Sequence, residues 1–423
     1  KSALERAEAR ADPIPARVRA KVHLGMGALA LEGVQNDSAK DIVQTHAGQA
    51  IRLFEEAGDR VEMIRAVYIG GGAPWIAGDL SASREVFERG YQLARREEDA
   101  WGMGSCLHCL GHLAKIDGDP KRARAYFEES VHVLRECGDL WTLTHPLTDI
   151  AMSSWEEGRV QESWDICVEN LNAFETLGSK FGAAWIQRQL GATAMWMGKY
   201  DAATDLLERS FAYTHERGNI SATAITTGYL GMNALFQKNF SAAQDHLETS
   251  VRLNRETDNQ NNIAWALGNL GWLHYHASRL DDALAALDES LSIFEQIGNA
   301  ERTDHSLACL ARADLARTQG DLDSARGFYL KSLALTEALP LLPYPLEGLA
   351  KLNILHAQAD RAARLFGAAH ALRQRMEIPL PPVECGDYET HLAMTKKALG
   401  KKEFSAVWKE GEAMSVEELV GQD

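Results

Sequence analysis

The side chains whose types and spacing most suggest chemistry lie in Cys106-Leu107-His108-Cys109-Leu110-Gly111-His112. On a helix, His108 and His112 are i and i+4 and share one face, so both could ligate zinc. A metalloprotease helix also carries an acid between its two histidines, and here none stands between them. Cys106 and Cys109 fall toward the packed side, where a free cysteine behaves as a small hydrophobe. No metal is therefore expected, and the same histidines could instead hydrogen-bond a polar ligand. There is no G-x-S-x-G elbow and no nucleophile, base and orienter set. There is no G-x-x-x-x-G-K-[ST] phosphate loop either. The carboxylates stand beside Lys and Arg and read as solvated faces. The expectation is no catalytic residue, no cofactor and no enzyme.

Bulk properties narrow the classes further. A chain of 423 residues exceeds what one compact core usually takes, so several domains or a repeat array are expected. No apolar run reaches the roughly 18 residues that span a bilayer, so no membrane partner is expected. The net charge of -16 argues against direct nucleic-acid binding, which needs concentrated Lys and Arg. Six scattered cysteines form no disulfide framework and point to a reducing cytoplasm. The chain begins at Lys1, with no secretory signal, and reads as a fragment of something longer.

What must position the histidines is a repeat. Gly71, Gly111, Ala151, Gly191, Gly231 and Gly271 are each 40 residues apart. Twelve residues after each comes a small residue: Ser83, Ala123, Ser163, Ala203, Ala243, Ala283. Four further on lies Phe87, Phe127, Cys167, Leu207, Leu247 or Leu287, and three beyond that Gly90, Ser130, Asn170, Ser210, Ser250 or Ser290. The offsets of four and seven place the last three columns on one face of a second helix. Each repeat is then a pair of antiparallel helices, close enough for small residues to meet. The large residue is expected to fill the space toward the neighbouring hairpin.

The junctions agree. Gly58, Gly138, Gly178, Gly218 and Gly298 stand where second helices should end. Asp59, Asp99, Asp139, Ser179, Asn219, Asn259 and Asn299 follow as N-caps. Gly78-Asp79, Gly118-Asp119, Gly158 and Gly198 read as the turns inside hairpins. Gly70-Gly71-Gly72-Ala73-Pro74 falls inside a first helix and predicts a kink or unwinding there, as a hinge, a ligand contact or a tolerated irregularity. Pro146 would mark a first turn. The spacing continues through Ala313-Ala325-Tyr329-Ser332 and Ala350-Ala362-Phe366-Ala369, and a looser first hairpin with an inner turn at Asn36-Asp37 precedes it. The expectation is an all-α solenoid of about nine hairpins. Its array spans residues 1–342, in strict register over 60–299, and a last hairpin with a helical cap spans 343–423.

These offsets resemble the tetratricopeptide consensus, with each repeat here longer than that consensus. The resemblance implies a right-handed superhelical solenoid. The tail adds a second resemblance. Arg361-Ala362-Ala363-Arg364-Leu365-Phe366-Gly367-Ala368-Ala369 is followed by Pro379-Leu380-Pro381-Pro382, then Tyr388, Gly400, Phe404, Trp408 and Gly411. This order, with the opening Leu4-Glu5-Arg6-Ala7 and Ala16-Arg17-Val18-Arg19-Ala20, resembles tetratricopeptide sensor regions of bacterial signal-transduction ATPases with numerous domains (STAND proteins) and of large LuxR-type regulators. The resemblance implies an ATPase module and arm domains elsewhere in the parent chain, held inactive until an inducer binds the sensor.

In tetratricopeptide arrays the first helices line the concave surface. In this register the family's inward positions include His145, Trp185 and Trp265, then Tyr68, His108 and Arg188. His112 and Trp272 follow, then Trp75, Trp155 and Tyr275. Exposed aromatic patches mark binding sites, whereas a tight superhelix would bury the same rings. Arg65, Lys115 and Arg188 are too scattered for a carboxylate clamp. The leading reading is a cytoplasmic sensor that binds a small-molecule, peptide or protein inducer on this face and controls the ATPase switch, with transcription regulation as its context. The alternatives are a free-standing scaffold for protein partners, or a pheromone-type peptide receptor using Asn262 and Asn269.

Overall fold

Apolar and small residues recur at helical spacing along segments of about seventeen residues, and each segment is a helix. The computed structural model describes residues 14–32, 38–298, 302–336 and 338–420. The expected turn at Asn36-Asp37, the entry Leu4-Glu5-Arg6-Ala7 and the cap Asn299 lie outside them. No strand occurs among the described residues. Among the described residues, helices alternate as nine pairs followed by a cap. By packing, the chain forms two compact units, 1–150 and 151–423.

The first unit holds α1 (Ala16–Glu32), α2 (Ser38–Glu56), α3 (Arg60–Ile76), α4 (Leu80–Arg96), α5 (Ala100–Ile116), α6 (Pro120–Cys137) and the start of α7 (Leu140–Glu156). The second unit holds the end of α7, α8 (Val160–Thr176), α9 (Lys180–Trp196), α10 (Tyr200–Glu216), α11 (Ile220–Phe236), α12 (Phe240–Glu256), α13 (Gln260–His276) and α14 (Leu280–Ile297). It continues through α15 (Arg302–Thr318), α16 (Leu322–Leu335), α17 (Pro343–Leu355), α18 (Ala359–Met376), α19 (Pro382–Ala413) and α20 (Val416–Val420).

The glycine column makes the hairpins tight. A Cβ at Gly71 would lie 2.5 Å from Phe87, and one at Gly231 would lie 2.6 Å from Leu247. The large residue of the second helix thus sits on the glycine of its own hairpin, and Phe87 also packs with Leu110 and Leu113 of the next, as expected. The last small column does more than save space: Ser130, Ser250 and Ser290 donate to the carbonyls of Gly104, Ala224 and Ala264 at 2.7, 2.9 and 2.7 Å. Such bonds satisfy hydroxyls that are otherwise fully buried. The caps form as expected at Asp59, Asp139, Ser179, Asn219 and Asn259, each accepting the N–H three residues on. Asp99 holds the cap position without a side-chain bond.

Two proline expectations change. The helix α3 runs unbroken through Gly70–Pro74, with Gly71, Gly72 and Ala73 buried. Pro74 falls in its last turn, and the seat of Phe87 on Gly71 outweighs the weak propensity. Pro146 lies in the second turn of α7, not the first. The Thr142 carbonyl four residues back, whose helical donor the proline lacks, accepts instead from His145 Nδ1 at 3.3 Å.

The tail of the second unit folds back on its own inner helices. The chain leaves α18 through Glu377 in the left-handed region, passes the Pro379–Pro382 break and enters α19, which changes direction at Gly400. Met376 packs on Gly158 and Pro379 on Gly198, so this segment crosses successive inner turns. The start of α19 then carries Glu384 and Asp387 into a buried ionic network. Glu384 bonds His276 Nε2 at 2.9 Å, and Asp387 bonds Lys351 and Arg317 at 2.8 Å each. Arg373 grips Glu347 with two parallel bonds of 2.7 and 3.0 Å.

Burial alone would push the Glu384 carboxyl up, but His276 and Lys351 beside it hold it well below its ordinary value of 4.5. Burial likewise opposes Asp387, and the His391 bond with Lys351 and Arg317 overcomes it. Both folded-state values lie below the unfolded ones, so their stabilisation is present above about pH 4.5 and is lost as pH falls through the folded values. The second unit should therefore melt at a lower temperature at pH 3 than at pH 7. Glu384→Gln should shrink that difference, and an unchanged difference would count against the network.

Candidate functional site

In the second unit, the inward Trp272 is buried, and Trp155, Tyr275, Trp185, Arg188 and Trp265 are half-buried. Trp272 is 1% exposed, with its ring edge-on to Phe236 and Tyr344. Trp155 packs with Val160, Met376 and Ile378. The Tyr275 hydroxyl is 3.3 Å from both Arg317 and Thr318. Of these three expected ligand contacts, Trp272 is buried, while Trp155 and Tyr275 are half-buried beside the chain's own tail and its network.

Arg188 and Trp265 each adjoin Tyr229, and Trp185 neighbours Arg188 along its helix. Trp185 and Arg188 are three residues apart on one face of α9, and both, like Trp265, are half-buried. Trp265 on α13 stacks at 5.2 Å on Tyr229 of α11, and its ring lies where a Cβ at Gly228 would be. Gly228 is therefore glycine because the indole occupies the space of its side chain. Arg188 feels Tyr229, and burial lowers its guanidinium from the ordinary value. Among the described residues it has no carboxylate partner and no hydrogen bond. One turn beyond Trp265, buried Asn269 has an Nδ2 without an acceptor. Unpaired buried donors are costly and point to a missing acceptor. The arrangement can hold an anionic group against aromatic faces.

In the first unit the histidines converge. His108 Nε2 lies 2.7 Å from Asp149 Oδ2, His112 Nε2 lies 3.1 Å from the same oxygen, and the two nitrogens are 3.1 Å apart. Phe127 flanks both rings, and Trp75 meets His112 edge-on at 6.3 Å. Burial pushes His108 down against the pull of Asp149. Burial would raise Asp149, but the bonds from His108 and His112 take it well below the carboxylate range. His145 is exposed, with its ring centroid 6.0 Å from that of His108. Tyr68 lies edge-on to Trp101 at 5.5 Å and packs with Trp75 and Cys109 against Phe87, Leu110 and Leu113.

Sequence reasoning missed Asp149, Tyr229 and the ionic network. Asp149 follows His108 by 41 residues, one repeat plus one. Trp101 donates to Thr142 across the same interval. A search at that offset would have paired the acid with the histidines.

Known proteins agree with the fold. The family model "Tetratricopeptide repeat" matches residues 182–256, 221–296 and 262–338, and "Anaphase-promoting complex subunit 5" matches 85–152. A Mycobacterium tuberculosis protein assigned as an HTH-type transcriptional regulator is 25% identical over 388 residues, covering 90% of this chain. The chain spans 42% of that relative's length. The apo form of RapI superposes with a TM-score of 0.63 at 10% identity, covering 85% of this chain and 99% of RapI. The quorum sensor NprR from B. thuringiensis gives 0.55 at 15% identity, covering 83% and 98% of the two chains. Its complex with the cognate peptide NprX gives 0.56 at 14%, covering 82% and 98%. A STAND protein with a tetratricopeptide repeat sensor from Pyrococcus horikoshii gives 0.49 at 11%, covering 75% of this chain and 53% of that one. No helix among the described residues is long and apolar enough to cross a membrane. Residues 182–338 are tetratricopeptide-type repeats, and the described residues share that all-α repeat fold.

Proposed function

We propose that this chain is the non-catalytic, cytoplasmic inducer-sensing region of a STAND-type regulator, controlling an ATPase switch carried elsewhere in the parent protein. The observation that carries the reading is Arg188, a half-buried guanidinium without an acidic partner among the described residues, set beside Trp185 on its own helix and near Tyr229, on which Trp265 stacks. A peptide or small acid would offer the carboxylate and the apolar surface that these groups lack. The repeat fold is shared with NprR, which binds the peptide NprX, and the sequence is similar to an assigned transcriptional regulator; both favour a regulatory role. An inducer acts on the switch only through its different affinity for the two states of the parent protein.

Arg188→Ala and Trp265→Ala should each raise the inducer concentration for half-maximal response by about 30-fold, the scale of a buried hot-spot contact. A transcriptional reporter driven by the parent regulator would read this, with circular dichroism confirming an intact fold. An unchanged dose response in both variants would remove the groove from the mechanism. A phosphate loop in the same reading frame is expected, and its absence would remove the ATPase half of the reading.

A further inference from the structure

We propose that His108, His112 and Asp149 form a binding site for a divalent transition-metal ion, zinc by donor type. Two imidazole nitrogens and one carboxylate oxygen make a triangle with sides of 2.7, 3.1 and 3.1 Å. Zinc binds nitrogen and oxygen ligands at about 2.0–2.2 Å, and a point at that distance from all three atoms lies roughly 1 Å out of their plane. Two histidines and a carboxylate on one side of an ion are a recurrent ligand set, leaving further positions to water or an exogenous donor.

The three donors come from two elements whose positions are set by packing. His108 and His112 share one face of α5, held by the seat of Phe127 on Gly111. Asp149 is on α7, beside the Trp101–Thr142 bond of 3.1 Å that joins the same two helices. Phe127 and Trp75 supply the apolar surround that strengthens coordination. With both imidazoles neutral, their Nε2 lone pairs and the Asp149 oxygen can converge on one cation. An ion here would tie neighbouring repeats together and present an open position beside exposed His145. This inference is independent of the Arg188 groove.

The test uses the tag-free full chain, stripped with chelator and titrated with zinc chloride by calorimetry, then with cobalt(II) by visible absorption. One equivalent should bind, with a dissociation constant below about 1 µM. His108→Ala, His112→Gln and Asp149→Asn should each weaken binding by about 100-fold or more and abolish the cobalt bands. Circular dichroism reports the fold of each variant, and partly exposed His112 keeps the test decisive if Asp149→Asn unfolds. Absence of stoichiometric binding by the unaltered chain would overturn the proposal. So would wild-type affinity in the three variants, which would assign the ion to other histidines such as His23 and His46.

Discussion

Arg373→Ala should destabilise the second unit by about 3–5 kcal/mol, the cost of leaving one member of a buried ion pair alone. Its guanidinium meets both oxygens of Glu347, lies 4.5 Å over the Tyr344 ring and reaches the Pro379 carbonyl at 3.4 Å. Both partners are buried, so water replaces none of these contacts. Lys in place of Arg373 should rescue little, because an ammonium offers neither the parallel fork nor the planar face. Replacing both members together, as Arg373→Met with Glu347→Leu, should recover most of the loss. Urea unfolding followed by tryptophan fluorescence measures all three, and a loss below about 1 kcal/mol in Arg373→Ala would show the pair to be solvated.

Gly411→Ala should also destabilise, by about 1–3 kcal/mol, although alanine is the better helix former by about 1 kcal/mol. The two effects oppose, and geometry decides. A Cβ at Gly411 would fall onto the backbone carbonyl of Arg364, and one at Gly367 onto that of Trp408. At this crossing α18 and α19 touch backbone to backbone, so no rotamer change relieves the overlap. The Arg364–Glu410 ion pair at 3.0 Å flanks it. Limited proteolysis should cut the C-terminal half of α19 faster in Gly411→Ala than in the unaltered chain. A variant that melts higher than the parent would place the two helices further apart.

How far the chain could be read without coordinates depended on the range of each interaction. The repeat was legible because its determinants are local. The glycine at one position and the large residue sixteen on belong to one hairpin, and the cap bonds an N–H three residues away. The inward face was half legible: helical register placed Trp185, Arg188 and Trp265 on it, and the structure sets Arg188 and Trp265 beside Tyr229. It also placed Trp155, Trp272 and Tyr275 there, where Trp272 is buried and the other two pack beside the returning tail and its network.

The physical reason is that a helix's own sequence sets its hydrophobic face, while a distant segment decides whether that face meets solvent. His276 and Glu384 are 108 residues apart, and nothing local to α13 says that α19 will lie on it. The same holds for charge. Glu347, Lys351 and Arg373 look like ordinary surface residues in the sequence, and only the return of the tail makes them a buried network. Sequence alone, then, determined the period, the hairpins, their caps and the all-α class, each a matter of contacts within about twenty residues. Tertiary structure decided which aromatic side chains remain open, which charges are buried, and that Asp149 joins His108 and His112, because those outcomes rest on contacts between elements that no local pattern encodes.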